Sequence, residues 1–272
     1  MVASARVVLD SISENGSRLT TFEGTMWRAV LAEFNTHRQF SRNSASSRAI
    51  PVKKQLERVL MDPAMPVEWG MNKPGMQADG PADPETENKA KRAWMRARDA
   101  AYTQAEELNR LGIHKQVANR LLEPFMWHTV VFTTTTEGLE NFFDQRCTSR
   151  SPLAQPEMRA FADAVLAAYE ASIPLRLEND DWHTPYIQDD EDFPVCFDRM
   201  KVSAARCARV SYLTQDGVRD HEEDLRLYER LVSAKPQHWS PLEHVATPCE
   251  HETRAHHLGN FRGWDQMRHL VA

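Results

Sequence analysis

Little in this sequence supports a disulfide framework, a membrane span or a nucleic-acid-binding surface. Its four cysteines, Cys147, Cys196, Cys207 and Cys249, stand far apart and form no Cys-x-x-Cys pair. That suits reduced thiols in a cytoplasm better than disulfides or a thiolate zinc site. No apolar run approaches the ~20 residues that a membrane span needs. The start, Met1-Val2-Ala3-Ser4-Ala5-Arg6, lacks the long apolar core of a signal peptide. Lys and Arg number 33 against 39 Asp and Glu, and the formal charge is −6. This argues against a dominant polyanion-binding surface, although a local basic pocket remains compatible with it. A cytoplasmic protein without nucleic-acid or membrane partners is expected. What is present is ordinary for a globular chain: 272 residues, 41% hydrophobic and 26% charged, enough to bury a real core.

The chain reads as three blocks of a single domain spanning 1–272, with no internal repeat. Arg6 to Ser13 and Arg18 to Glu23 are extended runs flanking Asn15-Gly16, a strong hairpin signal. Trp27, Val30, Leu31 and Phe34 recur at helical spacing. A Pro/Gly/Met-rich stretch over 63–87 reads as a long loop, of a kind that often carries function. In the second block Trp94, Ala97, Ala101, Ala105, Leu108 and Leu111 form one helical face, ended by Gly112. Lys115 to Leu122 reads as a shorter helix stopped at Pro124, and the Val-, Phe- and Thr-rich run Met126 to Thr136 as a strand. Met158, Phe161, Ala162, Val165, Leu166 and Tyr169 mark another amphipathic helix with Pro156 in its first turn. After an acidic connector, 178–194, the third block holds a short strand (Val210 to Leu213), a helix (Asp220 to Val232) and a His-rich tail. The expected class is mixed α/β, a central sheet flanked by helices.

The densest polar cluster is His37-Arg38-Gln39-Phe40-Ser41-Arg42-Asn43-Ser44-Ala45-Ser46-Ser47-Arg48. Arginine forks and hydroxyls suit a phosphate monoester, which wants fixed charge and bidentate donors. Composition alone favours a solvated basic loop; the order of residues shifts that balance. His-Arg-x-x-Ser-x-Asn-x-x-Ser-x-Arg resembles the signature of the flavin-dependent thymidylate synthases, Arg-His-Arg followed after seven residues by Ser. Asn141-Phe142-Phe143-Asp144-Gln145-Arg146 and Ala154-Gln155-Pro156-Glu157-Met158-Arg159 resemble two further motifs of that family, and Arg120-Leu121-Leu122-Glu123-Pro124 a third. Ala208-Arg209-Val210-Ser211-Tyr212 and His238-Trp239-Ser240-Pro241-Leu242-Glu243-His244 resemble motifs that normally precede Arg-His-Arg. Their position near the C-terminus is what a circular permutation would give. A divergent phage-type branch of the family is similar in this order, and in Trp69 to Met76.

The resemblance implies a flavoenzyme that transfers a one-carbon unit to C5 of a pyrimidine deoxynucleotide, dUMP to dTMP. FAD would be the cofactor, methylenetetrahydrofolate the carbon donor and NADPH the reductant, in a homotetramer with sites at subunit interfaces. It implies that Arg146 contacts the pyrimidine and helps ionise it, that Ser46 and Arg48 hold the phosphate, and that Arg120 reaches a phosphate across a subunit boundary. His37, Arg38, Asn141, Ser240 and Glu243 would line the FAD site. Several positions depart from the family pattern: Glu33 for Gln, Thr36 for Arg, Ser44 for Glu, and Thr135 and Glu137 where an Asn-x-Arg flavin clamp usually stands. Asn260-Phe261-Arg262 offers the residue types of a replacement clamp. These departures leave open a dCMP substrate or a hydroxymethyl product, or a catalytically dead relative that binds nucleotide. The rival class is a metallohydrolase using Cys249, Glu250, His251, Glu252, His256 and His257. Its histidines, five apart, lie ~140° off a common helical face, unlike the His-Glu-x-x-His motif, and no metal is expected.

Overall fold

The computed structural model describes residues 2–178, 180–193, 195–212, 219–249 and 259–271. The expected hairpin is present as β1 (Ser4–Ser13) and β2 (Arg18–Trp27), antiparallel and joined by a short turn. Gly16 sits there at φ 84°, a conformation that only glycine adopts cheaply. Trp27 ends β2, and the chain then makes a 3-10 turn (Arg28–Val30) and the single-turn α1 (Leu31–Phe34). The helical spacing of 27–34 therefore marks only one turn, because pairing with the neighbouring strand extends β2 through Trp27. The polar cluster contains a strand, β3 (Ser41–Ser44), and is followed by α2 (Val52–Met61).

The loop after α2 ends at Asp83, earlier than expected. Its carboxylate accepts the Glu85 and Thr86 backbone N–H groups at 2.9 and 3.0 Å, capping α3 (Pro84–Arg110) with Pro84 at its first position. Gly112, at φ 77°, ends α3 as expected, its N–H donating to the Asn109 carbonyl. The following helix is shorter than expected: α4 (Lys115–Ala118) tightens into a 3-10 segment, Asn119–Phe125, that contains Pro124. Next come β4 (Trp127–Thr135), α5 (Thr136–Arg146), α6 (Pro156–Glu170) and β5 (Leu175–Leu177). The acidic connector packs onto the protein, with His183 and Thr184 buried. Then follow α7 (Cys196–Arg209), α8 (His221–Ser233), β6 (Ala246–Pro248), β7 (Trp264–Gln266) and α9 (Arg268–Val271). Val210–Tyr212 is a 3-10 turn continuing α7, not the expected strand, and Leu213 lies outside the described residues. No described helix is long and apolar enough to cross a membrane.

The strands form a five-stranded sheet in the order β3-β4-β2-β1-β5, antiparallel except for β5 beside β1. One face carries Phe22 and Phe132, over which Phe34, Phe40, Phe142 and Phe161 pack. A Cβ on Gly24 would stand 2.6 Å from the Phe161 ring, so glycine lets α6 lie directly on β2. The other face carries Leu19, Thr21 and Thr133 and is covered by the C-terminal third, with Phe261 and Trp264 packed against Leu19. The fold is the mixed α/β sheet flanked by helices that the sequence led us to expect.

Candidate active site

Helix α5 places Arg146 by burying what precedes it. Phe142 and Phe143 are fully buried, and Arg146 follows Phe142 by four residues, so it lies on the same side at the rim of the Phe core. There its Nη1 donates to Glu33 Oε1 and its Nε donates to His37 Nε2 at 3.2 Å. His37 is buried, with its ring edge-on to Phe142 at 4.8 Å and against Phe40 at 5.8 Å. Burial, with Arg146 and Arg42 nearby, pushes the imidazole down to about 4. A neutral ring that accepts at Nε2 carries its proton on Nδ1. The Arg42 guanidinium donates to the His37 carbonyl at 2.8 Å.

Beside this triad lies an open cleft of about 260 Å³ lined by Thr36, His37, Arg38, Gln39, Phe40, Gly138, Asn141 and Gln145. None of these eight is a carboxylate. Donors dominate: the exposed Arg38 guanidinium, the Gln145 amide that donates to Asn141 Oδ1 at 2.8 Å, and the Asn141 amide itself. Such a lining suits an anion or the acceptor edge of a heterocycle. His37, Arg38 and Asn141, far apart in sequence, thus meet in one place.

Ser240 and Glu243 sit in a 3-10 turn, Ser240–Glu243, that packs against β3. Ser240 is exposed; Glu243 Oε1 accepts from Arg268 in α9, and the Glu243 carbonyl accepts from Gln266 Nε2 at 2.9 Å. The half-buried Arg42, its guanidinium lowered by burial and supported by Glu243, links this turn to His37. Asn260 and Gln266 both donate to Ser41 Oγ, at 3.1 and 3.2 Å. The C-terminal pieces therefore reach the same strand as the polar cluster.

Ser46, Arg48 and Arg120 are grouped elsewhere, past the other end of β3. The Ser46 N–H donates to the Ser211 carbonyl at 3.1 Å, and Arg48 is exposed. Next to them Glu123 accepts from Ser47 Oγ at 3.1 Å and from Arg120 at 2.7 Å, with Arg28 at 3.5 Å. Sequence reasoning missed Arg28, which only the β2–β4 pairing brings here. It flagged Glu33 as a departure without its partner, because nothing local announces a contact 113 residues away. Of the other departures, Thr36 Oγ1 donates to the Glu33 carbonyl at 2.7 Å, Ser44 pairs with Val130 in the sheet, and Glu137 forms an ion pair with Arg262 at 3.3 Å. Of the rival metal set, Glu250, His251, Glu252, His256 and His257 lie outside the described residues.

The family model of the thymidylate synthase complementing protein matches residues 18–175, more than half of the chain. The chain belongs to that family. The match spans β2 to β5 and so includes Glu33, His37, Arg38, Ser46, Arg48, Arg120, Asn141 and Arg146; Ser240 and Glu243 lie outside it. Among solved structures, the chain is similar to the UMP/dUMP methylase PolB from Streptomyces cacaoi bound with 5-Br dUMP. That likeness is 15% identical with a TM-score of 0.50, over 61% of this chain and 89% of PolB. A second structure of PolB, with 5-Br UMP, gives 17% identity and a TM-score of 0.47 over 61% and 88%. At these identities the first likeness is one of fold. No curated protein matches the chain.

Proposed function

We propose that this family member transfers a one-carbon unit to C5 of a pyrimidine deoxynucleoside monophosphate, converting dUMP to dTMP with FAD, methylenetetrahydrofolate and NADPH. The observation that carries the reading is the juxtaposition of a cleft, rich in donors and without a carboxylate among its described lining residues, with an arginine fixed by Glu33 and His37. That donor set fits a flavin's acceptor-rich ring edge and its phosphates: Arg38, Asn141 and His37 would hold it, and Ser240 and Glu243 would line the site from the turn on β3. Bound FAD supplies the redox chemistry that no side chain here provides. Burial pushes the Cys147 thiol up to about 12 and raises that of Cys207 as well, so neither of these two is suited to thiolate attack at C6.

The remaining work falls to the chain's own residues. Arg146 presents fixed positive charge where the pyrimidine ring becomes electron-rich, and its two contacts hold the fork in place. Ser46, Arg48 and Arg120 would bind the phosphate. They lie past the end of β3 opposite His37, and a four-residue strand spans ~13 Å. The separation favours a nucleotide held between Arg146 of one copy and the arginines of another, in a homotetramer. The PolB complex with 5-Br dUMP supports this substrate class.

A second reading follows from Glu33. Its carboxylate on Arg146 adds an acceptor beside the donor fork, which matches the exocyclic amino group of cytosine. On that reading dCMP is the substrate, with a methyl or hydroxymethyl product. One assay decides among these. Purified protein should be yellow, and incubation with dUMP or dCMP, folate and reductant should give a product whose mass identifies base and carbon unit. Arg146→Ala should stay yellow and lose ~100-fold in turnover, the worth of one preorganised donor. Colourless protein without product from either nucleotide rejects the proposal.

A further inference from the structure

One ion pair in this region contributes little to the fold. Arg262 Nη1 stands 3.3 Å from Glu137 Oε1, and their side chains are 82% and 50% exposed. Exposed pairs of this kind add almost nothing to stability. The backbone that presents Arg262 is nevertheless closely fixed. Phe261 is buried against Leu19, Leu177, Ala246 and Trp264, the Arg262 carbonyl accepts from Ser17 Oγ at 3.3 Å, and Gly263 turns the chain at φ 78°. Asn260, on the near side of Phe261, donates to Ser41. The tail is thus anchored on both sides of an arginine whose head is left in solvent.

What that head faces is the first turn of α5. Glu137 immediately precedes Gly138, a lining residue of the cleft, and stands one turn before Asn141, another. Among its described lining residues the cleft has one guanidinium, that of Arg38. From this placement we infer that Arg262 is a second cation of the cleft: it binds the diphosphate of the cofactor, and Glu137 holds it in waiting. The inference rests on the flavin reading given above and assigns a residue outside the segment matched by the family model. Two cations on one cleft suit a diphosphate better than a single phosphate, because the charge to be matched is spread over two groups. Glu137 would lose its partner when the anion arrives, so its carboxylate opposes binding.

This gives opposite signs for the two members of one pair. Binding of FAD and of ADP to the holo-depleted full chain is measured by fluorescence quenching and by calorimetry. Arg262→Ala should weaken FAD and ADP alike by about tenfold and flatten the salt dependence of binding. Glu137→Gln should bind both as tightly as the parent or severalfold more tightly. In the double variant Arg262→Ala with Glu137→Gln, affinity should remain below that of the parent. Riboflavin, which lacks the diphosphate, should bind all four proteins equally. Unchanged FAD affinity in Arg262→Ala overturns the inference, as does full recovery in the double variant, which would make Arg262 only a mask for Glu137. A parent protein that binds neither FAD nor ADP rejects the flavin reading and this inference together. A parent that binds FAD while Arg262→Ala binds it equally rejects this inference alone. Both side chains are exposed, so an unaltered melting temperature is expected for every variant.

Discussion

On one face of the sheet, Phe22 and Phe132 stack at 5.0 Å, and Phe132 stacks again on Phe40 at 5.3 Å, with α5 and α6 closing over them. On the opposite face a row of hydrogen bonds crosses the strands instead. Ser11 meets His183 at 2.8 Å, His183 meets Thr21 at 2.8 Å, Thr21 meets Thr133 at 2.6 Å, and Thr133 meets His244 at 2.8 Å. All of these polar groups are buried. The first face is held by area, which tolerates imprecision; the second is held by partners, which must all be present. The candidate site borders both: Arg146 rides on the Phe face, and Ser41, beside Thr133, continues the polar row toward Asn260 and Gln266.

Acid should break the symmetry between the faces most strongly. His183 and His244 are each held near 3, His183 first by burial and then by its neighbour His244, and His244 by burial. On the Phe side burial likewise holds His128 near 3 and His37 near 4, but neither ring belongs to the row of hydrogen bonds that joins the strands of the polar face. The unfolded chain takes up these protons near pH 6.5, while the folded chain does not until far lower. Their contribution is therefore complete above about pH 6.5 and is lost as pH falls toward 4 and 3. Urea midpoints at pH 7, 6 and 5 should fall steeply, with hydrogen exchange opening the polar face first. A flat midpoint across that range contradicts the neutral burial of these histidines.

The Phe face should show the larger single-residue effect. Phe132→Ala removes a ring that touches Phe22, Phe34 and Phe40 and should cost about 3–5 kcal/mol. Thr21→Val keeps the shape but leaves His183 Nε2 without its partner, while Thr133 keeps its bond to His244, costing about 1–3 kcal/mol. Equilibrium denaturation of both at pH 7 tests the ranking. If Thr21→Val proved the costlier, the polar row rather than the aromatic packing would dominate the fold.

The two faces also differ in how far they could be read from sequence. The β1–β2 hairpin, α3, β4 and α6 were legible because turn residues, caps and apolar periodicity agree there. β3 was not: Ser41-Arg42-Asn43-Ser44 has little strand propensity, and pairing with β4 alone makes it a strand. α7 escaped notice because its buried side is largely small, Ala204, Ala205, Cys207 and Ala208, and includes Arg206, neutralised by Glu191 and Asp224. At the site, the meeting of His37, Arg38 and Asn141 was foreshadowed by motif order. The partners Glu33 and Glu137 find, Arg146 and Arg262, arise from tertiary contacts across more than a hundred residues, which no local pattern encodes.

The smallest expected effect lies where the polar row meets the tail. Ser41 Oγ accepts from both Asn260 and Gln266, but Gln266 keeps the Glu243 carbonyl as a second acceptor. Ser41→Ala should therefore strand chiefly the Asn260 amide, which is partly exposed and can turn to water. The cost should be about 1 kcal/mol, that of one ordinary hydrogen bond. Its consequence should be local: faster exchange of the amides of residues 260–266, with those of Phe132 and Phe142 unmoved. Phe261 remains buried without Ser41, so Arg262 keeps its anchor, and FAD affinity should fall less than in Arg262→Ala. If exchange quickens equally across the Phe face, the two faces are one cooperative unit, and the contrast between them is energetic only. If residues 260–266 do not respond, Phe261 alone fixes the tail, and the bonds at Ser41 merely accompany it.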